Sequence, residues 1–184
     1  DLDRLYLQHI GRRKLLKKHQ EVEIGERIER AQRALVEALA DLPRAVQTLV
    51  DLADRIRTKG DPAAELILLP EGGELREQNI TPVLQAFARI KRRLGTIERL
   101  GVELERPRLA ARKKKELEAR LHRTQCALSE ELAAQPIRPS LVDDIVSELR
   151  HTAGEKQLAR LLAAEDAIRE AKRELMEAKL RLVV

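Results

Sequence analysis

The sequence predicts an all-α protein, a bundle of several long helices, from three observations. Apolar residues recur three and four positions apart along most of the chain, which places them on one face of a helix. Charged residues make up 36 % of the sequence and hydrophobic residues 43 %, a balance that suits long amphipathic helices and is too apolar for disorder. Aromatic residues are only 1 %, and the scarcity of aromatic and β-branched runs argues against a sheet.

The C-terminal stretch, residues 157–184, has the clearest helical periodicity. Its apolar stripe consists of Leu161, Ala164, Ile168, Ala171, Leu175, Ala178 and Leu182. Because alanine alternates with larger residues, a partner helix can approach the stripe closely. We expect that partner to be a helix over residues 20–40, packed antiparallel or obliquely. Since the chain starts at Asp1 rather than Met and stops at Val184 without a helix-ending signal, we expect it to be a piece of a longer protein.

The first half of the chain predicts three helices. A short helix ends at Gly11, and a basic connection over residues 12–18 leads to the helix of residues 20–40. Asp41 is the expected N-cap of the next helix, residues 43–57, with Pro43 in its first turn. The residues that this helix should bury are Val46, Leu49, Val50, Ala53 and Ile56.

A loop and three further helices should follow. Residues 60–78 contain two prolines and three glycines, which predicts an ordered but mobile loop whose apolar residues 66–69 pack onto the core. Thr81 and Pro82 should begin a helix that ends before Pro107. Its expected core residues are Val83, Phe87, Ile90, Leu94, Ile97 and Leu104. Residues 108–134 should form a helix with Leu117, Leu121, Leu128 and Leu132 inside, and Ser140 should cap a helix over residues 141–151.

Composition limits the function classes. The formal charge is +5, from 36 basic and 31 acidic residues, which permits an anionic partner without requiring one. The only aromatic residues are Tyr6 and Phe87, too few for a module that grips single strands by stacking. A single cysteine, Cys126, excludes an internal disulfide. With no signal-peptide pattern and no long apolar run, we expect a cytoplasmic protein without a membrane partner.

Residues 6–29 have the sequence YLQHIGRRKLLKKHQEVEIGERIE. This stretch resembles region 1.2 of the primary, housekeeping-type sigma factors of bacterial RNA polymerase. The positions that fit the family pattern are Tyr6, Gly11, Leu15, Leu16, Glu21, Val22, Arg27, Ile28 and Glu29. Lys17 and Lys18 depart from it, since the family has a helix-capping Ser or Thr and a different neighbour there.

Residues 169–184 have the sequence REAKRELMEAKLRLVV, which resembles the start of region 2.1 in the same factors. The segment between the two matches stands where primary sigma factors carry a variable helical insertion, the non-conserved region. The resemblance thus divides the chain into a region 1.2-like part (residues 1–30), an insertion-like part (31–164) and the start of a region 2.1-like helix (165–184).

The resemblance implies a role in transcription initiation, with core RNA polymerase and promoter DNA as partners. The family's region 1.2 touches the non-template strand downstream of the minus-ten element. The matching positions here are Arg4, Tyr6, Leu7 and Gln8, to which Lys17 and Lys18 could add attraction for phosphate. Alternatively, Tyr6 and Leu7 bury against the helix of residues 20–40. Because the family's other DNA-reading and polymerase-binding parts would lie beyond Val184, we expect this piece to bind core polymerase weakly and to open no promoter.

The insertion should contact the beta-prime subunit of the polymerase, as the family's insertion does. The candidate residues belong to two basic runs: Arg89, Lys91, Arg92 and Arg93 in the first, and Arg106, Arg108, Arg112, Lys113, Lys114 and Lys115 in the second. The alternative is that both runs are solvated helix faces, which are common in charge-rich helical proteins.

Catalysis and metal binding find little support in the sequence. His122 and Cys126 lie four apart on a predicted helix, which is half of a metal site by geometry, but no second pair of ligands accompanies them. Ser129 and Ser140 lie in no nucleophile motif, and the acids Asp143 and Asp144 are adjacent in sequence rather than facing each other. We therefore expect neither an enzyme nor a cofactor.

A helical coiled-coil scaffold or adaptor without a DNA role is the alternative function. Such a protein would have the same periodicity and charge but would self-associate through the stripe from Leu161 to Leu182. The sigma hypothesis instead predicts a monomer, because the stripe is then covered within the chain.

Overall fold

The computed structural model of the chain describes residues 18–69, 73–150 and 155–179. These residues form α-helices joined by short connections and contain no strand. The helices are α1 (Lys18–Ala40), α2 (Pro43–Lys59), α3 (Glu77–Leu104), α4 (Ala111–Ala133), α5 (Pro139–Leu149) and α6 (Glu155–Lys179), with a 3-10 turn at Ala63–Glu65. The all-α prediction is confirmed. The short helix predicted before Gly11 lies outside the described residues.

The described residues divide into two compact units. The first unit comprises residues 18–34 of α1 and 162–179 of α6. Ile24 and Ala171 are buried there, each 2 % exposed, while Ile28, Ile168 and Leu175 are half-buried. The predicted apolar stripes are therefore the less exposed faces of both helices in this unit.

The second unit extends over Leu35–Leu161 and has its core between α2, α3 and α4. All five residues predicted to be buried in α2 are buried, and so are Val83, Phe87, Ile90 and Leu94 in α3 and Leu117, Leu128 and Leu132 in α4. Ile97, Leu104 and Leu121 are half-buried instead. The periodicity of the sequence also missed Leu100, which is 4 % exposed.

The loop after α2 contributes two residues to this core. Leu66 and Ile67 are buried, whereas Leu68 is 56 % exposed, so only part of the predicted apolar run packs inside. Ile67 pairs with Ile137 in an isolated antiparallel bridge. The Leu68 amide donates to the Pro136 carbonyl at 2.9 Å, and the Arg138 amide donates to the Leu66 carbonyl at 2.8 Å. These bonds tie the loop to the α4–α5 connection.

The predicted start of α3 is wrong by one turn. The helix begins at Glu77, and Pro82 lies inside it. Proline removes one amide donor, whose partner would have been the Gln78 carbonyl at the beginning of the helix. The turn before it is held by the amides of Asn79 and Ile80, which both donate to the Arg76 carbonyl, at 2.8 and 3.1 Å.

Two predicted caps are also wrong. Leu42, not Asp41, is the N-cap of α2, and Arg138 rather than Ser140 is the N-cap of α5; neither makes a side-chain capping bond. In both helices a proline occupies the first turn, where its fixed φ favours the helix and its missing amide costs nothing. Proline thus sets these helix starts, and the Asp41 carboxylate instead accepts a hydrogen bond from the Arg160 guanidinium.

Candidate nucleic-acid interface

The N-terminal residues proposed for DNA contact precede α1. Arg4, Tyr6, Leu7, Gln8 and Lys17 lie outside the described residues, and the side chain of Lys18, the first residue of α1, does too. Their roles therefore stay predictions.

The part of α1 that follows them contributes a buried side chain and an ion pair to the first unit. Ile24 is almost fully buried. Arg27, one turn further on, donates from Nη1 to the Glu174 Oε2 in α6 at 2.8 Å. The two side chains are 40 % and 44 % exposed, so this ion pair contributes little to the free energy of folding. Its main effect is on the orientation of the helices. This ion pair links α1 to α6 within the first unit.

The first basic run serves mainly inside the second unit. Arg89 and Arg93 donate from their Nε atoms to the two carboxylate oxygens of Glu131 in α4, at 2.5 and 2.9 Å. Burial of Glu131 would raise its pKa, but the two arginine hydrogen bonds and charges outweigh this effect and hold the pKa below its usual range. The three residues form a charged clamp between α3 and α4.

The other residues of this run divide between a second ion pair and solvent. Lys91 Nζ lies 2.5 Å from the Asp54 Oδ2 in α2, and Arg57 binds the other oxygen of that carboxylate at 3.0 Å. Arg92 is exposed, and its Nε donates to the Ala88 carbonyl one turn earlier. Of the first run, only Arg92 keeps a charge that no carboxylate of the described residues approaches closely.

The second basic run surrounds the connection from α3 to α4 and is exposed throughout. Arg106 and Arg108 lie in the connection, and Arg108 has a φ of 69°, the left-handed region. Residues 112–115 form the start of α4, which therefore begins at Ala111 rather than at Arg108 as predicted. The sequence alone could not distinguish this run from the first, because the acids that neutralise the first run are remote in sequence.

His122 and Cys126 are neighbours on the exposed side of α4. Their Nε2 and Sγ atoms lie 3.7 Å apart. In the part of the chain that the structure describes, no group of three or more ligating residues could hold a metal ion. The half site predicted from the sequence thus has no further ligand in these residues.

Sequence patterns missed a groove in the second unit, with a cavity volume of about 360 Å³. Pro43, Leu94, Ile97 and Leu128 supply its apolar lining. The Asp41–Arg160 ion pair contributes polar atoms to it. No sequence signal could have revealed that pair, because its members lie 119 positions apart. None of the described helices combines the length and the hydropathy that a membrane span requires.

The N-terminal segment matches a known protein family. Residues 4–34 match the family model of Sigma-70 factor, region 1.2. The matched segment covers the predicted DNA-contacting residues and continues along α1 through Arg27. No curated protein matches the chain. The match confirms the resemblance of the N-terminal segment to region 1.2 and supports a sigma-70 family factor.

Proposed function

We propose that this chain is part of a primary sigma factor that directs bacterial RNA polymerase to promoters. The observation that carries the proposal is the region 1.2 match over residues 4–34. The primary type is supported by residues 169–184, which resemble the start of region 2.1, and by the long helical segment between the two stretches.

The arrangement of the described residues supports this proposal in two ways. Arg27, within the matched segment, binds Glu174, within the region 2.1-like stretch, so the two family-like parts meet in one unit. The separate unit Leu35–Leu161 falls between them in sequence, as a helical insertion would. The insertion then forms a unit of its own, while the two family-like parts keep their contact through Arg27 and Glu174.

The proposed task of the matched segment is contact with the non-template strand downstream of the minus-ten element. Arg4 would bind a phosphate or a base edge, the Tyr6 ring would lie against a base, and Leu7 would pack beside it. Gln8 would donate or accept a hydrogen bond. Lys17 and Lys18 would add a salt-dependent attraction for phosphate.

A contact with the beta-prime subunit is the finer part of the proposal on the polymerase side. Its sequence-based candidates were the two basic runs of the insertion. Because Arg89, Lys91 and Arg93 already bind carboxylates within the unit, recruiting them would break ion pairs. Of the first run, the better candidate for an acidic protein surface is Arg92, whose charge faces solvent and has no close carboxylate among the described residues.

Site-specific photocrosslinking tests the DNA contact. A benzophenone side chain is placed at Leu7 in the full-length factor that contains this chain, and the holoenzyme is bound to promoter DNA with each strand labelled. We expect crosslinks to the non-template strand just downstream of the minus-ten element. The same group at Leu68, an exposed position in the second unit, is the control for chance proximity. If position 7 crosslinks only to protein, the DNA role is wrong; if the factor does not bind core polymerase, the sigma assignment is wrong.

A further inference from the structure

We propose that the segment of residues 106–115, called the basic turn below, binds the phosphate backbone of duplex nucleic acid. The segment has the sequence RPRLAARKKK, with six cations and no acid. Every one of the six side chains is exposed. The chain as a whole has a net charge of only +5, so its excess positive charge is concentrated at this place.

The cations of the basic turn are poorly neutralised by the protein itself. Lys113 lies 3.8 Å from Glu103 and Lys114 lies 4.0 Å from Glu118, at the outer limit of an ion pair. The other four, Arg106, Arg108, Arg112 and Lys115, have no ion-pair partner among the described residues. The first basic run differs sharply, since its carboxylates approach Arg89 and Lys91 to 2.5 Å. The two runs look alike in sequence, but only the basic turn keeps its charge available.

The position of these charges is unfavourable for the isolated protein. The N-terminus of a helix carries a partial positive charge, which favours acids in the first turn and disfavours bases. The first turn of α4 contains no acid, carries Arg112 and Lys113, and has Ala110 as its N-cap without a side-chain capping bond. An external anion would offset the repulsion between these charges and could accept hydrogen bonds from the free amides of the helix start.

The surroundings favour duplex nucleic acid over a protein partner. Protein interfaces are enriched in aromatic residues and depleted in lysine, whereas the basic turn contains three lysines and no aromatic residue. The only aromatic residue among those described, Phe87, is buried, so this surface offers no ring on which a single strand could stack. Backbone contacts to a duplex need only closely spaced cations.

This inference goes beyond the proposed function and does not use the family match. It assigns a sequence-independent contact to the second unit, whereas the proposed promoter contact lies in the N-terminal residues. Either contact could therefore exist without the other.

The test uses the whole 184-residue chain and a short fluorescent duplex without promoter sequence, titrated by anisotropy between about 50 and 200 mM salt. The test variant combines Arg112→Gln, Lys113→Gln, Lys114→Gln and Lys115→Gln. A matched control combines Arg44→Gln, Lys59→Gln, Arg99→Gln and Lys172→Gln, all at exposed positions. Both variants lower the net charge by the same four units, so any difference between them reports position rather than total charge.

We expect the test variant to bind the duplex at least about tenfold more weakly than the control at the lowest salt. The slope of log affinity against log salt should shrink by about 0.9 for each phosphate that the variant no longer neutralises. If the test variant and the control lost duplex affinity equally, net charge alone would explain the loss and the inference would be overturned. Unchanged duplex affinity would overturn it too, and if the test variant then bound core polymerase less well, the basic turn would serve an acidic protein surface instead.

The melting temperature of the test variant shows whether weak duplex binding is caused by misfolding. Because the four substitutions remove positive charge from the start of α4, the test variant should melt at the same temperature as the natural chain or higher at low salt. If the test variant melts at a lower temperature and binds the duplex weakly, the single substitution Lys115→Gln replaces it. Lys115 lies beyond the first turn of α4, so this substitution leaves the helix start unchanged. That substitution should lower the salt slope by about 0.9 if Lys115 binds a phosphate, and no change in the slope would count against the inference.

Discussion

Arg27 and Glu174 bind each other at 2.8 Å, although 147 positions separate them in the sequence. The bond connects the segment that matches region 1.2 with the segment that resembles region 2.1. Both side chains are more than a third exposed, so the pair contributes at most about 1 kcal/mol. Ile24 and Ala171 are buried in the same unit, and their burial adds an apolar contribution to its stability.

A charge swap tests this pairing. Arg27→Glu places a second carboxylate beside Glu174, and Glu174→Arg places a second guanidinium beside Arg27, so each should destabilise the first unit by about 0.5–1 kcal/mol. The double variant should recover most of the loss, because the opposite charges face each other again. Thermal unfolding at low salt, followed by circular dichroism, measures the effect. Additive losses in the double variant would show that the two side chains do not interact in solution.

The sequence correctly predicted the buried residues that follow from local helical periodicity. In α2, the three-four spacing correctly identified Val46, Leu49 and Ile56 as buried, because a helix repeats its faces every few residues. It failed where a distant segment decides the structure. The bridge between Ile67 and Ile137 is such a case. The predicted start of α3 is wrong for a local reason, because proline favours the first turn of a helix but Pro82 lies inside this one.

A pair of glycine substitutions should change stability in opposite directions. Gly95 lies inside α3, and a Cβ built there meets nothing within 4 Å. Gly95→Ala should therefore stabilise the protein by about 0.5–1 kcal/mol, since it removes backbone freedom from the unfolded chain. Gly60 ends α2 with a φ of 75°, so Gly60→Ala should cost about 1 kcal/mol although the space is equally open. Urea unfolding of both variants measures the difference, and equal effects would contradict these backbone assignments.

The Glu131 clamp predicts a loss of stability in acid. Because the folded protein lowers the pKa of Glu131, its stabilising effect is complete above the usual value of 4.5 and is lost as the pH falls through the lower folded pKa. Glu131→Gln should cost about 1–2 kcal/mol near neutral pH and progressively less below pH 4.5. Glu130→Gln, an exposed neighbour in α4, is the matched control and should cost little. A constant difference between the Glu131 variant and the natural chain from pH 7 to pH 3 would exclude the clamp.

For the candidate sites, too, the sequence predicted contiguous motifs but not ion pairs between residues that are distant in the chain. The spacing of Arg89 to Arg93 and of the basic turn predicted two similar surfaces, but Glu131 and Asp54 neutralise the first. Glu131 lies 42 positions from Arg89, so only the packing of α3 on α4 reveals the pair. The region 1.2 motif needed no such information, because it is contiguous in sequence.

Association state separates the sigma proposal from the coiled-coil alternative. Leu161 and Ala171 are already buried within the chain, and Leu175 is half-buried, so little of the described stripe is free for a second copy. We expect sedimentation at two concentrations to give a monomer. A stable dimer that Leu175→Glu dissociates would favour the scaffold, and it would contradict the monomer expected of a sigma factor.

Alanine substitutions test the proposed contacts of Arg4 and Tyr6 in the promoter complex. Arg4→Ala and Tyr6→Ala, each placed in the full-length factor, should shorten the lifetime of open complexes, because each removes a proposed contact to the non-template strand. The preference for guanine just downstream of the minus-ten element should weaken as well. Lifetimes are measured by competitor challenge on promoters that differ only at those bases. Unchanged helicity and core binding are the required controls, since they exclude a folding defect. Substituted factors with natural lifetimes and base preference would instead support burial of Tyr6 and Leu7 against α1.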